Sequence, residues 1–410
     1  MPSYRRVLSN GEFRALYGAR VLSDWGDAMA RVAISALVLH RSGSALFAAA
    51  VFAVSFLPQV FGQALLAPYA DRVSRRTLLV VCDGLRAAFV AVLVLAVAVE
   101  VPLALLLALL FVVELVGAPF FAAGYALLTE LFVDRALFLR ASSLTSLTSQ
   151  LNQVLGVALG GLVVGVLGAE RALWIDAGTF VVSGIMLALS VRPRAAAAAL
   201  GLPGLGDLAR DVRDGLAHLR HDPSLRALLV LAWVMTLVLV APEAVALPYA
   251  AAHGADAKAG GVLLAAVPFG AVLGVALVGR WHPVAQVRRM LPLASCAPLP
   301  LLGVVADPSW PVAAGLFVLS GLCQGFMVPL MATYALLAPD EMRGRLNGLA
   351  GSGFALVTAL AFLVVGALAD LTTEATAVVV AAVVTGVFLA ATWAVWPRQR
   401  LVDSAVATYS

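Results

Sequence analysis

Apolar runs of membrane length recur along this chain, and each is closed by Gly, Pro or charged residues. A hydrocarbon core takes roughly 20 residues of helix to cross. On that scale the runs predict twelve spans, at 15–40, 44–70, 77–99, 102–130, 141–168, 171–191, 224–252, 258–281, 289–306, 309–338, 344–370 and 374–396. The pattern therefore predicts an all-α membrane protein whose twelve transmembrane helices form two pseudo-symmetric six-helix bundles.

The longest polar stretch, 192–223, separates spans six and seven. Within it Leu205, Leu208, Val212, Leu216 and Leu219 repeat at helical spacing opposite Asp207, Arg210, Asp211, Arg213 and Asp214. That is an amphipathic helix suited to lie on the inner leaflet. Asp222-Pro223-Ser224 then supplies a cap and a first-turn proline for span seven. The expected organisation is an N-terminal bundle over 1–191, a cytoplasmic linker over 192–223, a C-terminal bundle over 224–398 and a tail over 399–410.

A faint internal repeat fits two halves. Glu130, Asp134 and Arg140 precede Ala141-Ser142-Ser143-Leu144 after span four, and Asp340, Glu341, Arg343 and Arg345 precede Leu346-Asn347-Gly348-Leu349 after span ten. Two similar halves joined by a linker are the architecture of a transporter that rocks about a midplane site.

Composition rules out a soluble globular protein. Of the 410 residues 62% are hydrophobic and only 12% charged, and the mean hydropathy is +0.99. The basic residues are distributed unevenly. Of the 27, 21 fall in the tails and the even-to-odd loops, while Arg41, Arg171 and Lys258 alone fall in the opposite loops. Both termini are thus expected in the cytoplasm. The first span lacks a cleavage site and is expected to stay in the protein. Arginine dominates over a single lysine, and alanine and valine are abundant, which suggests a GC-rich bacterial genome and a bacterial inner membrane.

Charges inside the spans are the candidate chemistry, because a charge at membrane depth costs several kcal/mol unless it meets a partner or a cavity. Arg20, Asp24, Asp27 and Arg31 follow one another at steps of 4, 3 and 4 on one helix face. They form either two internal pairs, Arg20–Asp24 and Asp27–Arg31, or a site in which one carboxylate takes up a proton. With span one centred near residue 28, Asp24, Asp27 and Arg31 lie within about 6 Å of the midplane. Glu114 lies near the middle of span four, and Glu243 lies between Pro242 and Pro248 in span seven. Asp176, near the end of span six, reads as a cap or a structural pair. Asn152 and Gln153 in span five and Gln324 in span ten are either substrate contacts or helix-packing hydrogen bonds. Glycines of spans five and eleven (Gly156, Gly160, Gly161; Gly351, Gly353, Gly366) let helices approach closely. The five histidines and three cysteines show no metal-ligand spacing, and no phosphate-binding loop occurs. No metal, cofactor, nucleic acid or enzymatic activity is expected, and the chain is expected to be a monomer in the bilayer.

Several stretches resemble the major facilitator superfamily. Ala67-Pro68-Tyr69-Ala70-Asp71-Arg72-Val73-Ser74-Arg75-Arg76 is similar to its signature between the second and third helices, with Ala67 and Ser74 where glycines are usual. Gly156-Val157-Ala158-Leu159-Gly160-Gly161 is similar to the antiporter signature, with Val157 in place of its proline. Asn10, Phe13-Arg14, Ser23, Gly26-Asp27, Asp83, Arg86, Asp176-Ala177 and Thr179-Phe180 resemble the enterobactin-exporter and macrolide-efflux branch. The resemblance implies export of lipophilic or amphipathic drugs or secondary metabolites by proton-coupled alternating access. It also implies a conformational latch at Asp71, Arg72, Arg75 and Arg76, with Asp134/Arg140 and Arg343/Arg345 as further gate residues. The usual fourth-helix signature of that family carries an arginine, and this chain shows Glu114 in that neighbourhood. The competing readings are a non-transporting sensor or scaffold of the same fold and a nutrient or sugar uptake transporter.

Overall fold

A computed structural model describes residues 4–70, 73–194, 205–339 and 342–409, without the side chains of 61–70, 146–147, 150, 153–154, 205–209, 211, 343–344, 404–405 and 407–409. Among these residues there are helices and turns but no strand. The chain divides into two compact units, one of Met1–His40 with Val54–Pro203 and the other of Arg41–Ala53 with Gly204–Ser410.

The first unit contains α1 (Tyr4–Leu8), α2 (Gly11–Ser42, to His40), α3 (Ala45–Ala70, from Val54), α4 (Arg75–Ala98), α5 (Leu103–Leu131), α6 (Arg135–Leu167) and α7 (Ala169–Ser190). Helix α4 packs against both α5 and α7. Ser74 caps α4 by accepting from the Thr77 amide at 3.2 Å, and Asp134 caps α6 by accepting from Ala136 at 2.8 Å. Gly168 turns the chain from α6 into α7 at φ 86°, a backbone region that only glycine enters freely.

The second unit contains α8 (Leu205–His221), α9 (Pro223–Ala252), α10 (Ala257–Val278), α11 (Pro283–Cys296), α12 (Pro298–Leu302), α13 (Trp310–Leu322), α14 (Met327–Leu337), α15 (Arg343–Leu371), α16 (Glu374–Val395) and α17 (Arg398–Tyr409). Asp222 caps α9 as its Asp-Pro-Ser order predicts, accepting from Ser224 at 2.8 Å and Leu225 at 3.1 Å. The ninth expected span is broken after Cys296 into α11, α12 and a 3-10 turn, Gly303–Ala306, where Pro298 and Pro300 interrupt its hydrogen-bond ladder. The tenth is divided between α13 and α14 by a 3-10 turn, Cys323–Phe326. Helix α10 lies backbone to backbone on this region. A Cβ on Gly270 would sit 2.1 Å from the Val318 carbonyl, and one on Gly321 would sit 2.2 Å from that of Val267.

Nine helical stretches among the described residues are long and apolar enough to cross a membrane, and Ala45–Val60 and Leu155–Leu167 are shorter apolar stretches. Helix α2 is 32 residues long but carries the four charges of its stripe.

Candidate functional site: a buried charge network in the first unit

The stripe on α2 is resolved by three neighbouring helices. Asp27 does not pair with Arg31 one turn away. Arg86 of α4 donates through Nη2 to both Asp27 oxygens, at 2.6 and 2.7 Å, and through Nη1 to Ser23 Oγ at 2.9 Å. Arg86 is fully buried and its guanidinium lies 4.1 Å from the Phe180 ring centroid. Arg31 reaches α5 instead, with Nη1 3.4 Å from Glu114 Oε1, and Ser55 of α3 also hydrogen-bonds Glu114. Asp24 faces α6, accepting from Ser149 and from Asn152 Nδ2, each at 3.4 Å, while Trp25 Nε1 donates to Asn152 Oδ1 at 2.9 Å. The side chain of Gln153 lies outside the described residues.

Two further acids belong to this interior. Asp83, one turn before Arg86, accepts from Ser183 Oγ at 2.5 Å. Asp176 is fully buried, and neither carboxylate oxygen has a hydrogen-bond partner, so it neither caps α7 nor forms a close pair. Its Oδ1 would lie 2.2 Å from a Cβ on Gly26, so a residue without a side chain is required there for α2 and α7 to meet. The partner of Asp27 and the depth of Asp176 escaped the sequence reading. An arginine in the middle of an apolar helix, at i+3 from an acid, was the signal that pointed to Arg86.

The remaining candidates are in other places. Glu243 is half-buried in α9 and Gln324 is buried in the 3-10 turn, both in the second unit, and Gln324 Nε2 has no hydrogen-bond partner. Asp71 and Arg72 lie outside the described residues, as do Asp340, Glu341 and the side chain of Arg343. Arg75 Nε is 3.5 Å from Glu130, which is also 3.8 Å from Arg194. Arg76 Nε donates to the Ala188 carbonyl at 3.1 Å. Arg140 lies over the Tyr4 ring at 5.4 Å rather than against Asp134. Arg345 pairs with Asp214 of α8 at 3.5 Å.

Apolar helices of membrane length, with ion pairs held inside rather than at their ends, define a multi-pass membrane protein built to keep charge at depth. The chain matches the Major Facilitator Superfamily over residues 16–361 and belongs to that family. It is 28% identical over 365 residues to the multidrug efflux pump Tap of Mycolicibacterium fortuitum, covering 84% of this chain and 86% of that one. The Tap pump of Mycobacterium tuberculosis is 27% identical over 381 residues, covering 86% and 85%. Among solved structures, the nucleoside transporter NupG superposes with a TM-score of 0.72 at 12% identity, covering 94% of this chain and all of that one. At that identity the likeness speaks for the fold alone.

Proposed function

We propose that the chain is a secondary exporter of lipophilic or amphipathic drug-like compounds or secondary metabolites, driven by protons through alternating access. In this reading it sits in a bacterial inner membrane with both termini cytoplasmic. Its two bundles, residues 1–191 and 224–398, rock about a midplane site, and the arginines near Asp71 latch them. The efflux pumps it resembles along most of their length support the direction and the substrate class.

The observation that carries proton coupling is the membrane-deep network of Asp27–Arg86 and Arg31–Glu114, with Asp24 and Asp176 beside it. Three of these four acids lack a close ion pair of their own or share one at 3.4 Å. A scaffold has no need to bear the cost of burying them. Asp24, Asp27, Arg31, Glu114, Glu243, Asn152, Gln153 and Gln324 are assigned to proton and substrate handling, with Asp24 or Asp27 carrying the coupling proton.

Proteoliposomes holding the purified protein test this reading. Addition of a transported dye should release protons, and Asp27→Asn and Asp24→Asn should change the protons released per dye to different extents. Dye movement with no proton signal, or the same coupling in both mutants and their double, would sink the coupling; no movement of any compound would favour the scaffold. Accumulation that follows the proton gradient inward would favour nutrient uptake.

A further inference from the structure

A cavity of about 470 Å³ opens within the first unit between α2, α5 and α6, away from the Asp27–Arg86 pair. Among the described residues its one basic lining residue is Arg20, the member of the α2 stripe that makes no direct ion pair. The guanidinium lies 4.9 Å from the ring centroid of Phe121. Its Nε is buried with no hydrogen-bond partner, and among the described residues Arg20 makes no ion pair. Asp24, one turn on, is turned to Ser149 and Asn152 of α6. Among the described residues no carboxylate lines the cavity.

The remaining walls are of two kinds. Tyr17, Phe121 and Tyr125 are aromatic, and Ser142, Thr145 and Ser149 lie along one side of α6, with Ser149 donating to Asp24. Thr145 spends its proton on the Ala141 carbonyl at 2.9 Å, whereas the buried Ser142 Oγ has no partner. The cavity therefore offers a guanidinium with no direct ion pair and a hydroxyl with no hydrogen-bond partner, beside aromatic side chains. Its volume is that of a pocket for a drug-sized molecule.

We propose that this cavity is a binding subsite for aromatic organic anions, with the acidic group on Arg20 and Ser142 and the planar body against Tyr17, Phe121 and Tyr125. Arg20 is half-buried with Asp24 nearby but not in direct contact, so its fork of donors is left for a carboxylate, phenolate or sulfonate to match. The aromatic body gains ring contacts at little entropic cost. A cationic compound meets Arg20 as a like charge and gains nothing at this point. The subsite deepens the exporter reading by naming one substrate class, and rests on that reading only for its part in transport.

The test uses two dyes that share a xanthene body but differ in charge: fluorescein, an aromatic carboxylate and phenolate, and the cation rhodamine 123. The full-length protein in nanodiscs is titrated with each at neutral pH, and Kd is read by fluorescence polarisation. Arg20→Gln should weaken fluorescein about tenfold or more, with rhodamine 123 not weakened. Ser142→Leu, which fills the cavity and keeps the charge, should weaken fluorescein as well, and Arg20→Lys should recover part of the loss. Thermal melting confirms the fold of each variant, and Ser142→Leu carries the test if Arg20→Gln does not fold. Fluorescein that does not bind above empty nanodiscs, that binds all variants alike, or that is weakened equally with rhodamine 123, overturns the subsite. Dye transport in proteoliposomes is read separately. Arg20-dependent binding without any transport supports the subsite and overturns the exporter; export without Arg20-dependent binding does the reverse.

Discussion

Arg86 holds Asp27 with a single nitrogen, Nη2, at 2.6 and 2.7 Å from the two carboxylate oxygens, while its other terminal nitrogen goes to Ser23. Gly117 of α5 lies against the guanidinium, where a Cβ would make an ordinary contact at 3.6 Å from its carbon. The pair joins α2 to α4 in a place where neither charge has water to fall back on.

Breaking this pair from either side should therefore cost more than removing both charges. Asp27→Asn or Arg86→Gln alone strands one buried charge, at an expected loss of about 3–5 kcal/mol. The apolar double variant Asp27→Leu/Arg86→Met should melt well above either single variant. Melting temperatures of the four purified proteins decide it; a double variant as unstable as the two losses added would mean that the pair is not what holds these helices.

The seam between α10 and α13 makes a prediction of the opposite kind, with no charge involved. Gly270 and Gly274 face Gly321 and Gly325 at four-residue spacing, and a Cβ at any of the four would lie within 2.1–2.5 Å of a backbone carbonyl oxygen. Gly270→Ala or Gly321→Ala should cost about 3 kcal/mol, since backbone cannot move aside as a side chain can. Gly386→Ala in α16, where a Cβ meets nothing within 4 Å, should be neutral or gain about 0.5–1 kcal/mol. Equal melting of the two kinds of variant would refute the seam.

The seam also shows what the sequence made legible. Span positions follow from the length of apolar runs, and the α9 cap follows from three adjacent residues, so both are local and readable. The glycines of spans five and eleven were visible as runs, and Gly156 and Gly160 do meet α2. The glycines of α10 face Gly321 of α13 and Gly325 of the 3-10 turn, all isolated in sequence, and their pairing is tertiary. The charge network divides in the same way. That Asp24, Asp27 and Arg31 share a face is a matter of helix geometry, but their partners lie on α6, α4 and α5, beyond the reach of spacing. Prolines stand at 292, 298 and 300 in sequence, yet only the folded chain shows that the break falls at Ala297–Pro298 while α11 runs on through Pro292.

Asp370, near the end of α15, was no candidate, though it caps the start of α3. It accepts from Ser44 Oγ at 2.5 Å, from the Ala45 amide at 2.6 Å and from the Leu46 amide at 3.3 Å. A carboxylate there meets the helix amides and their positive dipole end. Asp370→Ala should cost about 1–2 kcal/mol and speed amide exchange over the first turn of α3, whereas Asp370→Asn, which keeps an acceptor, should lose less. Unchanged exchange in the alanine variant would show that the cap contributes little.

Glu12, ahead of the apolar part of α2, gives the pH prediction. Arg194 donates to it through both terminal nitrogens, at 2.7 and 3.0 Å, and the Arg192 amide adds a third bond at 3.1 Å. The Arg194 hydrogen bonds hold the Glu12 carboxyl below the usual carboxylate range, against the opposing pull of partial burial. A carboxylate depressed in the folded state lends stability above its unfolded pKa, and that stability is lost as pH falls through the folded value. Glu12→Gln should thus lower the melting temperature at neutral pH, reflecting a stability loss of about 1 kcal/mol given the partial exposure of Arg194. The gap between wild type and variant should close as the pH passes down through the ordinary glutamate range near ~4.3 and below. Melting curves across that range check the sign, and a gap that widened toward acid would exclude the ion pair as its source.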